Sequence, residues 1–552
     1  MLHARESGEF WTVPGPEAPR RPPHARDYPG PVSELTSNGT DWDSATYLRE
    51  VLKAPVYEAA EHTPLQEMPA LSARLGNHVA VKREDLQAVH SFKIRGAYNA
   101  MHALSDARRV RGVITASAGN HAQGVARSAS LLGVTATIVM PTVTPRIKVD
   151  AVRALGGEVV LSGDNFDAAK AEAVRLADAE GLTFIPPFDD PHVIAGQGTI
   201  GLELIQQDAE LDRVFVPVGG GGLVSGIAVL IKALMPHVAV IGVEHEESAC
   251  LTAALDAGGP VTLDRVGLFA EGVAVRRIGD ETFRVCSALL DDVVTVSSDE
   301  TSAAVRDLFE DVRAVPEPSG AIALAGLKKY VAEHGLAGER LACVLSGANL
   351  NFHQLRYISE RSEIGEQREA ILGVTIPETQ GEFLRFASVL GGRAVTEFNY
   401  RVGTADDGEP ARIFVGVRLT RGREERAEIV ADLEKVGYGV VDLTEDELAK
   451  VHVRSMIGGR APADLSERLF SVEFPEAPGA LVRFLEVLGT RWNITLFHYR
   501  TDGADYGRIL CAFEAAAADG AGADELTEHM DRLGYAYHEE TEDLSARFFL
   551  SR

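Results

Sequence analysis

Cysteine is scarce in this chain. Its 552 residues include only Cys250, Cys286, Cys343 and Cys511, none within metal-ligand spacing of another. That excludes a zinc framework or a disulfide scaffold and suits a reducing, cytoplasmic setting, with no metal site expected. Basic residues are also in deficit: 54 against 81 acidic ones leave a formal net charge of -27. Such a surface repels phosphate backbones and anionic headgroups, so neither nucleic acid nor membrane is an expected partner. Long apolar runs are missing too. The longest candidate, around Gly222 to Met235, is interrupted by Lys232 and falls short of the roughly 18 residues of a span.

What is present suits a large folded protein, with 45% hydrophobic and 24% charged residues. At ~150 residues per domain the length implies about three domains. Residues 1–44 read as a disordered extension, carrying Pro14, Pro16, Pro19, Pro22, Pro23, Pro29 and Pro31 without the apolar core of a secretory signal.

From about 45 to 365, short β-branched or aliphatic runs alternate with helical patterns: Gly112 to Thr115, Val134 to Met140, Val214 to Val218, Val238 to Val243, Val293 to Val296 and Leu341 to Leu345. This alternation predicts an α/β domain of parallel sheets with crossover helices, whose ligands lie beyond the carboxyl ends of the strands. Ser297 and Glu300 have capping-box spacing and mark one helix start.

After Glu363 the sequence repeats itself at an offset of about 98. Ile376, Pro377, Glu378 answer Phe474, Pro475, Glu476; Tyr400, Arg401 answer Tyr499, Arg500; Gly437, Tyr438 answer Gly534, Tyr535. Each copy, 366–455 and 466–552, reads as strand, turn, helix, strand, strand, helix, strand, the ferredoxin-like α+β arrangement.

Four constellations carry chemistry. Lys93 stands between Phe92 and Ile94 with Gly96 and Ala97 after it, an apolar setting that lowers an amine's pKa and prepares it for Schiff-base chemistry. Ser117, Ala118, Gly119, Asn120 and His121 lie between a strand and a helix, where small residues and unpaired N–H groups suit a substrate carboxylate. Gly219, Gly220, Gly221 and Gly222, before a helix beginning near Leu223, suit a single phosphate, since neither Walker nor dinucleotide spacing is met. The last strand runs into Ser346, Gly347, Ala348 and Asn349, a weak signal alone.

Together these motifs resemble the fold-type II pyridoxal-phosphate enzymes, the tryptophan-synthase-β-like group, and within it the biosynthetic threonine ammonia-lyases. The likeness runs from about Ala54 to the C-terminus, and the repeated modules resemble ACT-like domains. The resemblance implies a pyridoxal-phosphate catalytic domain over 45–365 that deaminates L-threonine to 2-oxobutanoate. It implies roles for Lys93 as the Schiff-base lysine and base, Asn120 at the cofactor's 3'-oxygen, Phe92 against one cofactor face, Gly219 to Leu223 at the phosphate and Ser346 at the pyridine nitrogen. It also implies inhibition by isoleucine, antagonism by valine and a homotetramer. In such modules the effector meets the turn after the first strand, here Gly381 and Phe383, with Gly479 and Leu481 in the second copy.

Two other readings compete. A racemase of the same fold carries a serine where this chain has Ala118. A silent amino-acid sensor has no need of an intact Lys93 and Ser346.

Overall fold

The computed structural model describes residues 42–377, 382–391, 393–401, 410–455, 467–475, 494–500, 506–514 and 521–550. Two sheets build the first domain. The larger has six strands in the order Leu65–Glu67, His78–Arg83, Arg340–Leu345, Arg213–Pro217, Ala239–His245, Asp292–Val296. Its pairs are parallel except the first, Leu65–Glu67 with His78–Arg83, which is antiparallel at the edge. The smaller sheet is wholly parallel, in the order Glu158–Leu161, Ala136–Met140, Val113–Ala116, Thr183–Phe184. All six expected strands are present, each within two residues of its expected start and end. His78–Arg83, Glu158–Leu161, Leu65–Glu67 and Thr183–Phe184 lie outside that expectation, the last two being too short to show periodicity.

Side-chain alternation explains why the large sheet is covered on both faces. Phe215, Ile241 and Val243 join one core with Leu324 and Leu308, while Val214, Val216 and Val240 join the other with Ile200 and Ile227. The capping box forms as expected: Glu300 N–H donates to Ser297 Oγ, and Ser297 N–H to Glu300 Oε2 at 2.7 Å. Trp42, Asp43 and Ser44, which sequence leaves in the extension, are folded here. Asp43 caps the helix Ser44–Lys53, and the Trp42 ring lies 5.2 Å from His192. A single cap is too short a signal to stand out after a proline-rich stretch, and the Trp42 ring contacts, with Tyr47 and His192, exist only in the fold.

Among the described residues both C-terminal copies have the expected four strands and second helix, Gly422–Lys435 and Ala521–Leu533, and the first copy also has its first helix, Glu382–Leu390. In the first, strands Glu369–Ile376, Val395–Arg401, Ala411–Arg418 and Gly439–Asp442 form an antiparallel sheet in the order second, third, first, fourth, and the second copy repeats it. Even the irregularity is duplicated, between Val395 and Glu397 and between Ile494 and Leu496. Ile371, Phe414, Leu469 and Leu510 share one core, so the modules pack on each other.

Charge joins these modules to the first domain. Arg361 donates to Asp299 at 2.6 Å and to both oxygens of Glu447 at 2.8 and 2.7 Å; Lys450 reaches Asp299 at 2.6 Å, and Arg508 of the second module reaches Glu447 at 2.8 Å. Burial opposes ionisation of Glu447, but Arg361, Arg508 and Lys450 hold its carboxyl well below the usual range. Among the described residues no helix is long and apolar enough to cross a membrane.

Candidate active site

Lys93 opens the helix Lys93–His102. The turn before it is tied to the loop after the last large-sheet strand: Phe92 N–H donates to Ser346 O at 3.2 Å, Ala348 N–H to His90 O at 2.9 Å, and Ser91 bridges Gly347. Two motifs more than 250 residues apart thus become neighbours. The Lys93 amine is buried and donates to Pro187 O at 3.1 Å. Desolvation lowers its pKa from 10.5 to about 8, opposed by the charge of Glu317.

The next residue, Phe188, walls the glycine loop. A Cβ on Gly220 would lie 2.2 Å from atoms of the Phe188 ring, and one on Gly222 would lie 2.9 Å from Phe188 Cβ. Gly221 is left-handed at φ 89°, and the helix Gly222–Leu234 starts there with no side chain capping it. Thr282 Oγ1 donates to Gly220 O at 2.7 Å and pins the loop from behind. Pro187 and Phe188 therefore connect Lys93 to the glycines. Sequence reading missed both, because neither belongs to a motif.

Asn120 begins the helix Asn120–Leu132, donates to Glu317 Oε1 at 2.6 Å and accepts from Asn349 Nδ2 at 2.6 Å. Ser117, Ala118 and Gly119 form the half-buried approach to this helix start. The His121 ring turns inward to Ile185 O at 3.0 Å, and its pKa falls to about 3, through burial first and the Lys93 charge second. Its ring is thus neutral, and what it can offer a carboxylate is its backbone N–H. Ser346 Oγ donates to Ser319 O at 3.3 Å. Glu317, also missed from sequence, is half-buried. Burial raises its pKa, against hydrogen bonds from Asn120 and Ser319. A glutamate before a proline at a helix start looks like an ordinary favourable charge there.

Lys148 of the helix Arg146–Ala154 pairs with Glu271 at 2.7 Å, and Val273 lies against Gly219. Of the candidate effector residues, Gly381, Gly479 and Leu481 lie outside the described residues; Phe383 falls in the helix Glu382–Leu390, with its side chain outside them.

The family described as pyridoxal-phosphate dependent enzyme matches residues 56–347. That described as C-terminal regulatory domain of threonine dehydratase matches twice, over 360–453 and 458–550. The biosynthetic L-threonine dehydratase of Escherichia coli is 64% identical over 92% of this chain and 98% of its own. This chain belongs to the threonine dehydratase family. Among solved structures, the processed form of threonine deaminase isoform 2 from Solanum lycopersicum is 48% identical with a TM-score of 0.57, covering 58% of this chain and 93% of that one. Maize serine racemase shares the fold at 32% identity and a TM-score of 0.53, covering 56% and 95%. The fold thus serves more than one reaction, and the site must decide between them.

The family's cofactor is pyridoxal phosphate, and the residues present fit it. Ser91 Oγ, two residues before Lys93, is buried with no hydrogen-bond partner among the described residues. The glycine floor has no room for a Cβ, and a helix N-terminus stands over it ready for an anion.

Proposed function

We propose that this protein catalyses pyridoxal-phosphate-dependent β-elimination of L-threonine to 2-oxobutanoate and ammonia, the first committed step of isoleucine biosynthesis, and that isoleucine inhibits it through the C-terminal modules. The observation that carries the chemistry is the buried Lys93 amine, with its pKa near 8, joined through Pro187 and Phe188 to a glycine loop. Bound there, pyridoxal phosphate supplies an aldehyde for the substrate amine and a ring that holds the charge left on Cα. Lys93 Nζ would hold the cofactor, and the same amine would take the Cα proton of threonine as general base. The N–H groups from Gly219 to Leu223 would hold its phosphate, and Phe92 and Asn120 would hold its ring. Ser346 would meet the cofactor's ring nitrogen; a hydroxyl there would give up no full proton, which would temper the electron sink and favour elimination. Ser117 to His121 bind the substrate carboxylate through backbone N–H groups. The β-hydroxyl leaves, and the enamine released hydrolyses to products.

In this reading residues 45–365 form the catalytic domain, 366–455 and 466–552 the regulatory modules, and 1–44 an extension. Gly381, Phe383, Gly479 and Leu481 line the effector sites, valine antagonises isoleucine, and the enzyme is a cytoplasmic homotetramer. Threonine saturation with and without isoleucine is the test. At the usual coupling of about 1 to 3 kcal/mol, isoleucine weakens apparent threonine affinity ~5- to 150-fold. Glu447 joins both modules to Arg361, so Glu447→Ala should shrink that shift and leave uninhibited turnover unchanged. No turnover of threonine refutes the chemistry, and an isoleucine-insensitive wild type refutes the regulation.

Ala118 sets the outcome against the racemases. Without an acid or base opposite Lys93, incubation with L-serine should yield no D-serine on chiral chromatography. Appreciable D-serine from the wild type overturns the elimination-only reading.

A further inference from the structure

The Asn120 side chain is held at both ends by groups for which the mechanism so far has no use. Asn349 Nδ2 gives one proton to Val89 O at 2.9 Å and the other to Asn120 Oδ1 at 2.6 Å. With both protons committed, Asn349 fixes the oxygen end of the Asn120 amide. The nitrogen end donates to Glu317 Oε1 at 2.6 Å.

Glu317 is itself fixed. Its backbone N–H donates to Gly347 O at 3.2 Å, and it precedes the helix Pro318–His334, whose N-terminal end favours a negative charge. Gly347 leaves room for the pair: a Cβ there would lie 2.7 Å from Glu317 Oε1 and 3.3 Å from Asn120 Nδ2. Replacing either clamp would free the amide to turn over, exchanging donor for acceptor.

We infer that Glu317 is a positioning residue of this active site: with Asn349 opposite, it orients the Asn120 amide so that its one uncommitted Nδ2 proton is presented to the cofactor. This rests on the reading that Asn120 meets the cofactor. A carboxylate in this place cannot donate, so it selects the donor end of Asn120, whereas a water or hydroxyl would accept either orientation.

The test is a double-mutant cycle read as cofactor affinity, titrating the cofactor-free full-length enzyme with pyridoxal phosphate and following its visible absorption band. Uptake by the wild type, with the band lost in Lys93→Ala, tests the site reading separately. Glu317→Ala and Asn120→Ala should each raise the dissociation constant ~10- to 100-fold, the range for supporting partners of a ligand residue. The double variant should be no weaker than the worse single one. Glu317→Gln should restore most of the affinity, since its carbonyl accepts the same hydrogen bond. Unchanged affinity in Glu317→Ala, additive losses, or no recovery with glutamine overturns the proposal. If Glu317→Ala does not fold, the Asn349→Ala and Asn120→Ala cycle decides on the same terms, additivity counting against it.

Discussion

Lys93→Ala is expected to lower threonine turnover by on the order of 10⁴-fold or more, because one amine both holds the cofactor and moves the Cα proton. The substitution spares the fold. Lys93 is the first residue of its helix, alanine is the best helix former, and the lost amine has one hydrogen bond, to Pro187 O. Secondary structure by circular dichroism should therefore match the wild type while the visible band of the bound cofactor disappears. Turnover within tenfold of the wild type would remove Lys93 from the mechanism.

The largest effect on stability is expected at Arg95, two residues on. Its guanidinium donates to both Glu84 oxygens at 2.8 and 2.7 Å, to Glu203 at 2.5 Å and to Thr199 at 3.2 Å, while Lys82 also reaches Glu203, at 2.6 Å. All four charged side chains are completely buried. Two cations and two carboxylates balance only as a set. Arg95→Ala leaves Glu84 with no cation in contact, and breaking such a buried pair costs about 3 to 5 kcal/mol. The first urea transition assigned to the catalytic domain should move down accordingly. Cofactor affinity should fall with it, because the network anchors the start of the helix that carries Lys93. A loss below about 1 kcal/mol, the scale of an exposed pair, would mean that water reaches the network.

Sequence and fold agree most closely where a signal is local. The strands ending at Ala116, Pro217 and Leu345, the Ser297 to Glu300 cap and the repeated module are each written within a few adjacent residues. Lys93, Asn120, the four glycines and Ser346 stood out for the same reason, each at the end of a strand or the start of a helix. Glu317, Pro187, Phe188 and the Arg361–Glu447 contacts did not. Their significance depends on which atoms face them from parts of the chain up to 197 residues away.

The sequence by itself determined the fold class and the tandem modules and singled out residues whose chemistry suits a phosphate and a carbonyl, because backbone propensity and side-chain chemistry are properties of short segments. Only the tertiary structure decided that the Lys93 amine is dry enough to lose its proton near pH 8. It also decided that Asn120 is clamped between Glu317 and Asn349 and that Arg95 has two buried carboxylates to neutralise. Desolvation and hydrogen-bond geometry are set by the distances between elements remote in sequence, and they come into existence only when the chain closes around them.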